Sequence, residues 1–501
     1  MITLNNVTIS NKKDHRVLIK NFNFTLNPGD KAVIIGEEGN GKSTLLKYIY
    51  NPHLLDPYCD YTGNQLGTPK KGYLAQEISE DILEYTVGEF LSHFEIYSSS
   101  NPDIWTMNLD LGKFSMEQKI STLSGGEKVK LRLMALLAEE PDILLLDEPT
   151  NDLDMNTLEW LENFINHSKC PILYVSHDET LIENTANIII HMEQLKKKRE
   201  CRYTIERMSY ADYVHTRLKG LEKQEMVARK QRENYKSQMT RFQQVYNRDE
   251  LVQDRNSTKL NNVKSMEKRI EKGREDFLEI PDVEEAILFG FPTEIEIPNG
   301  KTIIDYYLDK LKIEQDEKEK ILAEGIHLQV MGPERIAIIG NNGIGKTTFL
   351  RKVAEELLKR SDIKAGYMSQ NYDELLDFDK RPIEFLVSSG QKEDITKAFT
   401  YMGGMKFTRD EMEHKIGELS GGQKAKLILL KMILEGCNVL ILDEPTRNLS
   451  PLSNPVIRGA LSEFGGAIIS ITHDRKYIGE VCTQVYELTK TGLLKCDSKW
   501  D

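Results

Sequence analysis

The sequence predicts an α/β protein made of two similar domains with a long α-helical hairpin between them. One set of short motifs occurs twice in the same order, and in the last three motifs the two copies lie 296 residues apart. Each copy opens with a β-branched run, a glycine-rich turn and a helix-forming run, an order typical of α/β layers. The segment between the copies has heptad spacing. We therefore expect domains at 1–205 and 281–501, joined by a basic helical hairpin at 206–280.

Each copy begins with a glycine-rich loop suited to a phosphate. The sequences GEEGNGKS at 36–43 and GNNGIGKT at 340–347 match the pattern GxxxxGK[ST]. In such a loop, backbone N–H groups surround the phosphates, the lysine reaches the β and γ phosphates, and the Ser or Thr coordinates Mg²⁺. The helix that follows adds its positive dipole end. The residues expected to bind nucleotide here are Gly36, Gly39, Gly41, Lys42, Ser43 and Thr44 in the first copy, and Gly340, Gly343, Gly345, Lys346, Thr347 and Thr348 in the second.

An acidic pair follows a buried apolar run in each copy. Asp147-Glu148 ends the run LLLDE, and Asp443-Glu444 ends LILDE. Carboxylates at the end of a buried strand are costly unless they have a task. We expect the aspartates to hold Mg²⁺ and the glutamates to orient and polarise the attacking water.

The tetrapeptide Leu-Ser-Gly-Gly occurs between 20 and 30 residues before each acidic pair. A serine followed by two glycines at a helix start offers a hydroxyl and bare backbone donors to an anion, although alone it is also a common helix cap. The residues concerned are Ser124, Gly125 and Gly126 in the first copy and Ser420, Gly421 and Gly422 in the second.

This combination resembles the ATP-binding cassette superfamily. The resemblance implies that the Leu-Ser-Gly-Gly tetrapeptide of one cassette, called its signature, closes on the γ-phosphate of an ATP held by the other. It also implies that a glutamine contacts Mg²⁺ and water and that a histidine after a short strand contacts the γ-phosphate. One ATP would thus be shared by Lys42, Gln76, Glu148, His177 and Ser420, and the other by Lys346, Gln370, Glu444, His473 and Ser124.

Composition separates a basic segment from an acidic body. The chain of 501 residues has a formal charge of −13, yet residues 215–275 hold sixteen Lys and Arg against nine Asp and Glu. The six cysteines show no metal-binding or disulfide spacing. Neither a secretory signal nor an apolar run of about 20 residues is present. We expect a cytoplasmic protein that itself crosses no membrane and has no transmembrane partner.

The basic segment has the pattern of two antiparallel helices. Leu221, Ala228, Tyr235 and Phe242 recur every seven residues, and a turn is expected in the Asn- and Asp-rich stretch 247–256. A second heptad series follows at Val263, Ile270 and Phe277. About 35 residues per helix would reach on the order of 50 Å. Phe242, Val245 and Tyr246 are candidates for a tip that stacks on nucleotides. Burial of these three in a helical seam, or a solvated spacer helix, remains the alternative.

Two cassettes joined by a basic hairpin, together with the motif DEPTNDLD at 147–154, resemble the ABC-F family. The resemblance implies a monomer whose two cassettes pair within one chain. It also implies binding of ATP and Mg²⁺ and of the ribosome at the tRNA exit site, with the hairpin near the peptidyl-transferase centre, large-subunit rRNA and P-site tRNA. Family members either assist stalled translation or protect the ribosome from antibiotics.

Three features are more similar to the resistance branch than to the housekeeping branch. The hairpin is long, and little sequence follows Trp500. The spacings of 34 residues from Lys42 to Gln76 and 24 from Lys346 to Gln370 leave no room for the arm that some members insert. We therefore expect protection against lincosamide, pleuromutilin and streptogramin A type drugs, with a housekeeping translation factor as the alternative.

Other ATPases fit the sequence less well. A twin-cassette subunit of an importer would have a short or neutral linker. A DNA-repair or chromosome ATPase would carry its coiled coil inside a cassette or add zinc cysteines.

Two departures from the family pattern concern the ATP sites. Ser450 stands where the first copy has Asp154, so coupling between the sites is expected to be asymmetric. Neither copy has the expected aromatic for adenine. The substitutes would be His15 or Arg16 near Ser10 in the first copy, and Tyr306 or Tyr307 in the second, which leaves ATP and GTP both open.

Overall fold

The computed structural model shows the predicted α/β fold with two phosphate-loop cassettes. It groups the chain into two compact units, one formed by Met1–Tyr210 with Ile287–Asp501 and the other by Ala211–Ala286. Both cassettes therefore belong to the same unit. The residues that the structure describes are 1–96, 115–151, 153–195, 200–251, 290–292, 295–315, 318–387 and 389–496.

The first cassette combines an antiparallel sheet, a mostly parallel sheet and helices. Its strands are β1 (Ile2–Asn11), β2 (Val17–Leu26), β3 (Lys31–Ile35), β4 (Cys59–Leu66), β5 (Lys71–Leu74), β6 (Ile143–Asp147), β7 (Ile172–Val175), β8 (Ile188–Leu195) and β9 (Glu200–Glu206). Its helices are α1 (Lys42–Tyr50), α2 (Glu80–Glu84), α3 (Val87–His93), α4 (Gly125–Ala138), α5 (Met155–His167) and α6 (Glu179–Thr185). The sheets have the orders β2-β1-β4 and β5-β6-β7-β3-β8-β9.

Strand order places the motifs together. The neighbouring strands β5, β6, β7, β3 and β8 pair in parallel in that order. Strands β3, β6 and β7 are buried along their whole lengths. Continuous burial explains why their sequences are uninterrupted apolar runs. The chain leaves the carboxyl ends of the neighbouring strands β3, β7 and β6 at Gly36, Ser176 and Glu148. Parallel strands end at one edge of the sheet, so the loop, the histidine and the acidic pair converge there.

The segment after the first cassette forms a 42-residue helix, α7 (Tyr210–Leu251). Its heptad positions Leu221 and Tyr235 are partly buried and Ala228 is fully buried, as expected for a seam. The prediction of a turn starting at 247 is wrong, because the helix continues to Leu251. Asn and Asp reduce helix stability by less than about 0.7 kcal/mol each, so they do not by themselves end a helix. The remainder of the predicted turn and the second helix lie outside the described residues.

Among the described helices, none is both long enough and apolar enough to cross a bilayer.

The second cassette repeats the architecture. Its strands are β10 (Thr302–Gln315), β11 (Lys318–Met331), β12 (Arg335–Ile339), β13 (Ala365–Met368), β14 (Val439–Asp443), β15 (Ala467–Ile471), β16 (Gln484–Thr489) and β17 (Gly492–Cys496). Its helices are α8 (Lys346–Leu358), α9 (Pro382–Leu386), α10 (Lys392–Gly404), α11 (Arg409–Glu413), α12 (Gly421–Glu435), α13 (Asn454–Ser462) and α14 (Arg475–Val481). The main sheet has the order β13-β14-β15-β12-β16-β17, and β10 pairs with β11 in a separate antiparallel sheet. The strand order matches that of the first cassette.

The cassettes pack against each other through apolar and charged contacts. Met155 of α5 joins a small apolar cluster with Ala337, Ile339 and Ile478 of the second cassette. Among the described residues, the charged contacts between the cassettes join cations of the second cassette to anions of the first, and one of them is Lys426 with Glu37. The others include Arg458 with Glu179, Arg475 with Glu162 and Asp178, and Lys476 with Glu179 and Glu183.

The pair between Arg458 and Glu179 is buried at this interface. The nitrogen and oxygen are 2.6 Å apart, and the side chains are 2% and 4% exposed. Burial raises the pKa of Glu179, although the Arg458 guanidinium opposes that rise. Removing Arg458 leaves the buried Glu179 carboxylate with only the longer contact to Lys476, at 3.7 Å, which is costly for a buried charge.

We predict that Arg458→Met lowers the free energy of unfolding by about 3–5 kcal/mol. Urea denaturation of the full chain measures this loss. The exposed pair between Lys119 and Glu84, with side chains 54% and 72% exposed, provides a matched control. Lys119→Met should cost less than about 1 kcal/mol. Equal losses in the two variants would show that the buried pair does not hold the cassettes together.

Candidate functional site

The two phosphate loops have closely matching conformations. In each loop the first glycine lies against a carbonyl, since a Cβ on Gly36 would come within 2.2 Å of the Met192 oxygen and one on Gly340 within 2.7 Å of the Leu488 oxygen. No other residue fits there. The lysine Nζ of each loop turns back onto its own backbone, at 2.7 Å from the Gly36 carbonyl for Lys42 and 2.7 Å from the Gly340 carbonyl in the second loop. The ammonium group is thus held at the centre of a curved backbone.

The acidic pairs lie beside these loops. In the first cassette, the Ser43 hydroxyl donates to Asp147 Oδ1 at 2.8 Å and the Tyr73 hydroxyl donates to Oδ2 at 3.0 Å. In the second cassette, both carboxylate oxygens of Asp443 are buried and accept no hydrogen bond from the described residues. Burial raises the pKa of Asp443 to about 6. A hydroxyl and a carboxylate side by side are a donor set for Mg²⁺.

We use the name site A for the site of Lys42, Glu148 and His177. The His177 ring connects the cassettes, because Nδ1 lies 3.0 Å from the Leu449 carbonyl oxygen of the second cassette. A carbonyl only accepts, so Nδ1 donates. Nε2 lies 3.1 Å from Glu148 Oε1. Burial pushes the pKa of Glu148 upward, but the charge of His177, its hydrogen bond and Lys42 outweigh burial, and the net shift is downward. The carboxylate form of Glu148 is therefore favoured.

We use the name site B for the site of Lys346, Glu444 and His473. Its histidine is held less firmly, because Nδ1 of His473 is buried without a hydrogen-bond partner in the described structure and Nε2 is 3.8 Å from Glu444 Oε1. Burial, followed by the Lys346 charge, lowers the pKa of His473 to about 4. Burial, followed by the Asp443 charge, raises the pKa of Glu444 to about 8. In the described structure, the histidine of site B therefore does not link its glutamate to the opposite cassette as His177 does in site A.

Cavity A, of about 1240 Å³, contains site A and extends across both cassettes. From the first cassette it is lined by Gly39, Gly41, Lys42, Ser43, Thr44, Gln76, Glu148 and His177. From the second it is lined by Ser420, together with Leu419, Gln423 and Asn448. The sequence-predicted group of Lys42, Gln76, Glu148, His177 and Ser420 therefore borders one cavity.

Cavity B, of about 510 Å³, contains site B. Its walls from the second cassette include Gly343, Gly345, Lys346, Thr347, Thr348, Gln370, Asp443, Glu444 and His473. From the first cassette Gly125 lines it, together with Asn151 and Leu153. Ser124, which was expected to share this site, is not among the lining residues, although its neighbour Gly125 is.

The signature serines also act as helix caps. Ser124 and Ser420 each accept a hydrogen bond from the backbone N–H three residues later, at 3.4 Å from Glu127 and 3.3 Å from Gln423. The second signature glycine allows close packing. A Cβ on Gly422 would lie 2.6 Å from the Asn448 carbonyl oxygen, and one on Gly126 would meet Thr157. The motif therefore caps its own helix and packs closely against a neighbouring element, the loop of Asn448 in one case and helix α5 in the other.

The structure corrects the adenine-stacking candidates of the second cassette. Tyr306 packs against Phe349, with ring centroids 6.3 Å apart, and Tyr307 is 67% exposed. Neither lines cavity B, to which the second cassette contributes the apolar side chains of Ile313 and Leu322. These tyrosines were candidates because they follow a long insertion, and position along the chain does not determine which face of the β10–β11 hairpin a side chain occupies.

In the first cassette, His15 and Arg16 line cavity A as expected, whereas Ser10 does not. Tyr58 also lines it, and the sequence reasoning missed this residue. Tyr58 follows a one-turn helix and belongs to none of the nucleotide-binding motifs, so the local sequence does not identify it as a cavity residue.

The residues present fit ATP with Mg²⁺. The unpartnered carboxylate of Asp443 and the unpartnered Oε2 of Glu148 are buried polar atoms that face these cavities. Buried polar atoms without partners are rare unless a ligand or water completes them.

The predicted hairpin tip cannot be placed in the same way. Phe242, Val245 and Tyr246 lie on α7, and their side chains are outside the described part.

Comparison with known proteins supports the interpretation of both domains as ATP-binding cassettes. The profile of the ABC transporter family matches residues 19–151 and 323–447, slightly more than half of the chain. The probable ATP-binding protein YheS of Escherichia coli K12 is 28% identical, over 94% of this chain and 76% of that protein. ABC transporter F family member 5 of Arabidopsis thaliana is 26% identical, over 94% and 72%.

Among solved structures, the complex of an archaeal ribosomal stalk protein with the archaeal ribosome recycling factor aABCE1 superposes with a TM-score of 0.59. The identity is 15%, and the match covers 98% of this chain and 89% of that chain. At this identity the likeness concerns the fold.

The different histidine geometries predict unequal hydrolysis at the two sites. Glu148→Gln should remove more than half of the steady-state ATP hydrolysis, because site A holds its histidine and glutamate in contact. Glu444→Gln, at the looser site B, should remove less. Phosphate release assays at saturating ATP measure both. A larger loss from Glu444→Gln would contradict the ranking.

Proposed function

The chain belongs to the ABC transporter family and resembles its sub-family F, and from this premise we propose that it is a ribosome-binding ATPase that acts on the peptidyl-transferase centre. Its cassettes bind and hydrolyse ATP. The observation that carries the ribosome proposal is α7, a 42-residue helix between the two cassettes of an acidic chain. It belongs to a segment with an excess of Lys and Arg. Such a helix suits phosphate-rich RNA.

In the proposed reaction, the phosphate loop binds and orients the substrate. The Lys42 ammonium and the N-terminus of α1 neutralise the phosphates of ATP. Glu148 orients the attacking water and polarises it by accepting a hydrogen bond from it. His177 holds Glu148 in place and faces the γ-phosphate. Mg²⁺, held by Ser43 and Asp147 with Gln76 nearby, would supply further charge neutralisation.

The equivalent residues of site B would carry the same roles. Lys346, Thr347, Gln370, Asp443 and Glu444 correspond to those of site A, with His473 completing the set. The signature of each cassette would contact the phosphate held by the other, through Ser420 in site A and Ser124 with Gly125 in site B. ATP then stabilises the closed pair of cassettes within a monomer.

Closure and hydrolysis are coupled in this proposal. The His177 ring donates to the Leu449 carbonyl of the second cassette, so the ring is positioned only while the cassettes are together. Separation of the cassettes removes this hydrogen bond and loosens Glu148 as well. Hydrolysis is thereby limited to the closed state, and product release reopens the pair.

The ribosome proposal draws on three supports. The archaeal protein with a similar fold is a ribosome recycling factor. Relatives along most of the chain carry the sub-family F name. The residues of α7 include nine Lys and Arg and six Asp and Glu. We propose large-subunit rRNA and P-site tRNA as the contacts of the hairpin, with Phe242, Val245 and Tyr246 near its working end, in a cytoplasmic protein.

Within sub-family F we propose ribosome protection against drugs of the peptidyl-transferase centre. The spacings of 34 residues from Lys42 to Gln76 and 24 residues from Lys346 to Gln370 leave no room for a long inserted arm, and β13 leads directly to Gln370. Without such an arm, the helical hairpin is the element through which the chain would act on drugs bound at the peptidyl-transferase centre. The three drug classes are lincosamides, pleuromutilins and streptogramins A.

We predict that Glu148→Gln combined with Glu444→Gln traps the chain on ribosomes. Closure on ATP survives the double change while water activation is lost. Sedimentation of bacterial ribosomes with ATP should recover at least about tenfold more of this variant than of the wild type, which departs after hydrolysis. A matched control adds Lys42→Ala and Lys346→Ala, which remove ATP binding and should abolish co-sedimentation. Equal recovery of all three proteins would contradict ATP-controlled binding.

Expression in a drug-sensitive bacterium should raise the inhibitory concentrations of lincosamides, pleuromutilins and streptogramins A. The rise should be at least about fourfold and should disappear in the double glutamine variant, because that variant cannot leave the ribosome. Drugs that act on the small subunit are the control and should be unaffected. No change with any drug, together with growth arrest by the double variant, would instead indicate a housekeeping translation factor.

A further inference from the structure

The two phosphate loops differ in charge at equivalent positions. The first loop has Glu37 and Glu38 between its first two glycines, where the second loop has Asn341 and Asn342. Carboxylates are unexpected in a loop that must surround a polyanion. Two of them add negative charge beside the phosphates of site A and none beside those of site B.

Both carboxylates contact the second signature helix, α12. Glu38 Oε2 accepts a hydrogen bond from the backbone N–H of Gly422 at 3.3 Å. A Cβ on Gly421 would lie 2.9 Å from the same oxygen. Glu37 Oε1 is 3.9 Å from Nζ of Lys426, a lysine whose side chain is 7% exposed. The first phosphate loop therefore reaches across to the start of α12.

The contact of Glu38 is electrostatically favourable. The first N–H groups of a helix have no partner within the helix, and the helix dipole makes this end attractive to anions. A carboxylate that accepts one of these N–H groups forms a charge-assisted hydrogen bond. Glu38 itself is exposed to cavity A, so its side chain can move aside without unfolding any element.

The γ-phosphate of an ATP shared between the cassettes would need the same N–H groups of α12. Two anions cannot both accept them, and a carboxylate displaced by only a few ångströms still repels the phosphate. ADP lacks the third phosphate, so it meets no such competition.

At the equivalent position, site B has an amide where site A has a carboxylate. The Asn342 side-chain oxygen accepts a hydrogen bond from Nζ of Lys346 at 3.3 Å, which keeps the amide within its own loop. An amide also carries no net charge.

We propose that Glu38 is a specificity-determining residue that competes with the γ-phosphate for the start of α12. Site A consequently binds ATP more weakly than site B, while the two sites bind ADP more equally. Site B fills first, and occupation of site A becomes the step that responds to ATP concentration. The inference rests on the proposed sharing of site A between Lys42 and Ser420.

The test isolates site A by Lys346→Ala in the full chain and titrates two fluorescent probes, mant-AMPPNP and mant-ADP. Glu38→Asn, which introduces the residue type of the second loop, should tighten mant-AMPPNP binding about five- to tenfold. It should change mant-ADP binding less than about twofold. Glu37→Asn removes the same charge from the same loop without touching Gly422, so its effect should be smaller.

A reciprocal control uses site B, isolated by Lys42→Ala. There Asn342→Glu should weaken mant-AMPPNP binding and leave mant-ADP binding nearly unchanged. Circular dichroism and melting curves identify any variant that is misfolded.

The outcomes separate two kinds of failure. Ser420→Arg, which blocks the shared signature, should weaken mant-AMPPNP binding at site A. If it has no effect, the shared arrangement is wrong, and the proposed function loses its basis. If it weakens binding while Glu38→Asn leaves the triphosphate affinity unchanged or lowers it, only the role of Glu38 is overturned.

Discussion

The hydrogen bond from the His177 ring to the Leu449 carbonyl joins the carboxyl edge of the main sheet of one cassette to a loop of the other. It depends on parallel strands that bring His177 beside Glu148, and on the packing of the two cassettes into one unit. Neither cassette alone could position this ring. Glu179, two residues after His177, forms the buried pair with Arg458 at the same interface. Packing between cassettes is thus the constraint on which site A depends.

The two ATP sites have the same parts but different surroundings. Site A has carboxylates in its phosphate loop, and the loop that approaches it from the second cassette ends in Ser450 rather than an acid. Site B has neutral amides in its phosphate loop, and the charge of Asp154 from the first cassette acts on Lys346 and His473. In site A the negative charge therefore lies in the phosphate loop, whereas in site B it lies on the cassette opposite the phosphate loop. Under the proposed function, this difference would let one site hold the cassettes together while the other times their release.

Local motifs predicted most of the site, because phosphate loops, acidic pairs and signature helices each depend on a few consecutive residues. The contact of Glu38 with Gly422 joins residues 384 positions apart, so nothing near Glu38 reveals it. The same reason explains the missed Tyr58 and the misplaced Tyr306, since packing of separate strands decides which side chain faces a cavity. Helix α7 was predicted from its heptads, but its continuation past Asn247 to Leu251 was not, because weak helix formers do not terminate a helix that is otherwise favoured.

The most direct test of the central claim is a cryo-electron microscopy reconstruction of bacterial ribosomes with ATP and the chain carrying Glu148→Gln and Glu444→Gln. The account predicts the chain at the tRNA exit site, with α7 directed to the peptidyl-transferase centre. It also predicts one ATP between Lys42 and Ser420 and another between Lys346 and the first signature. A chain bound elsewhere on the ribosome, or ATP held by one cassette without the other, would contradict it.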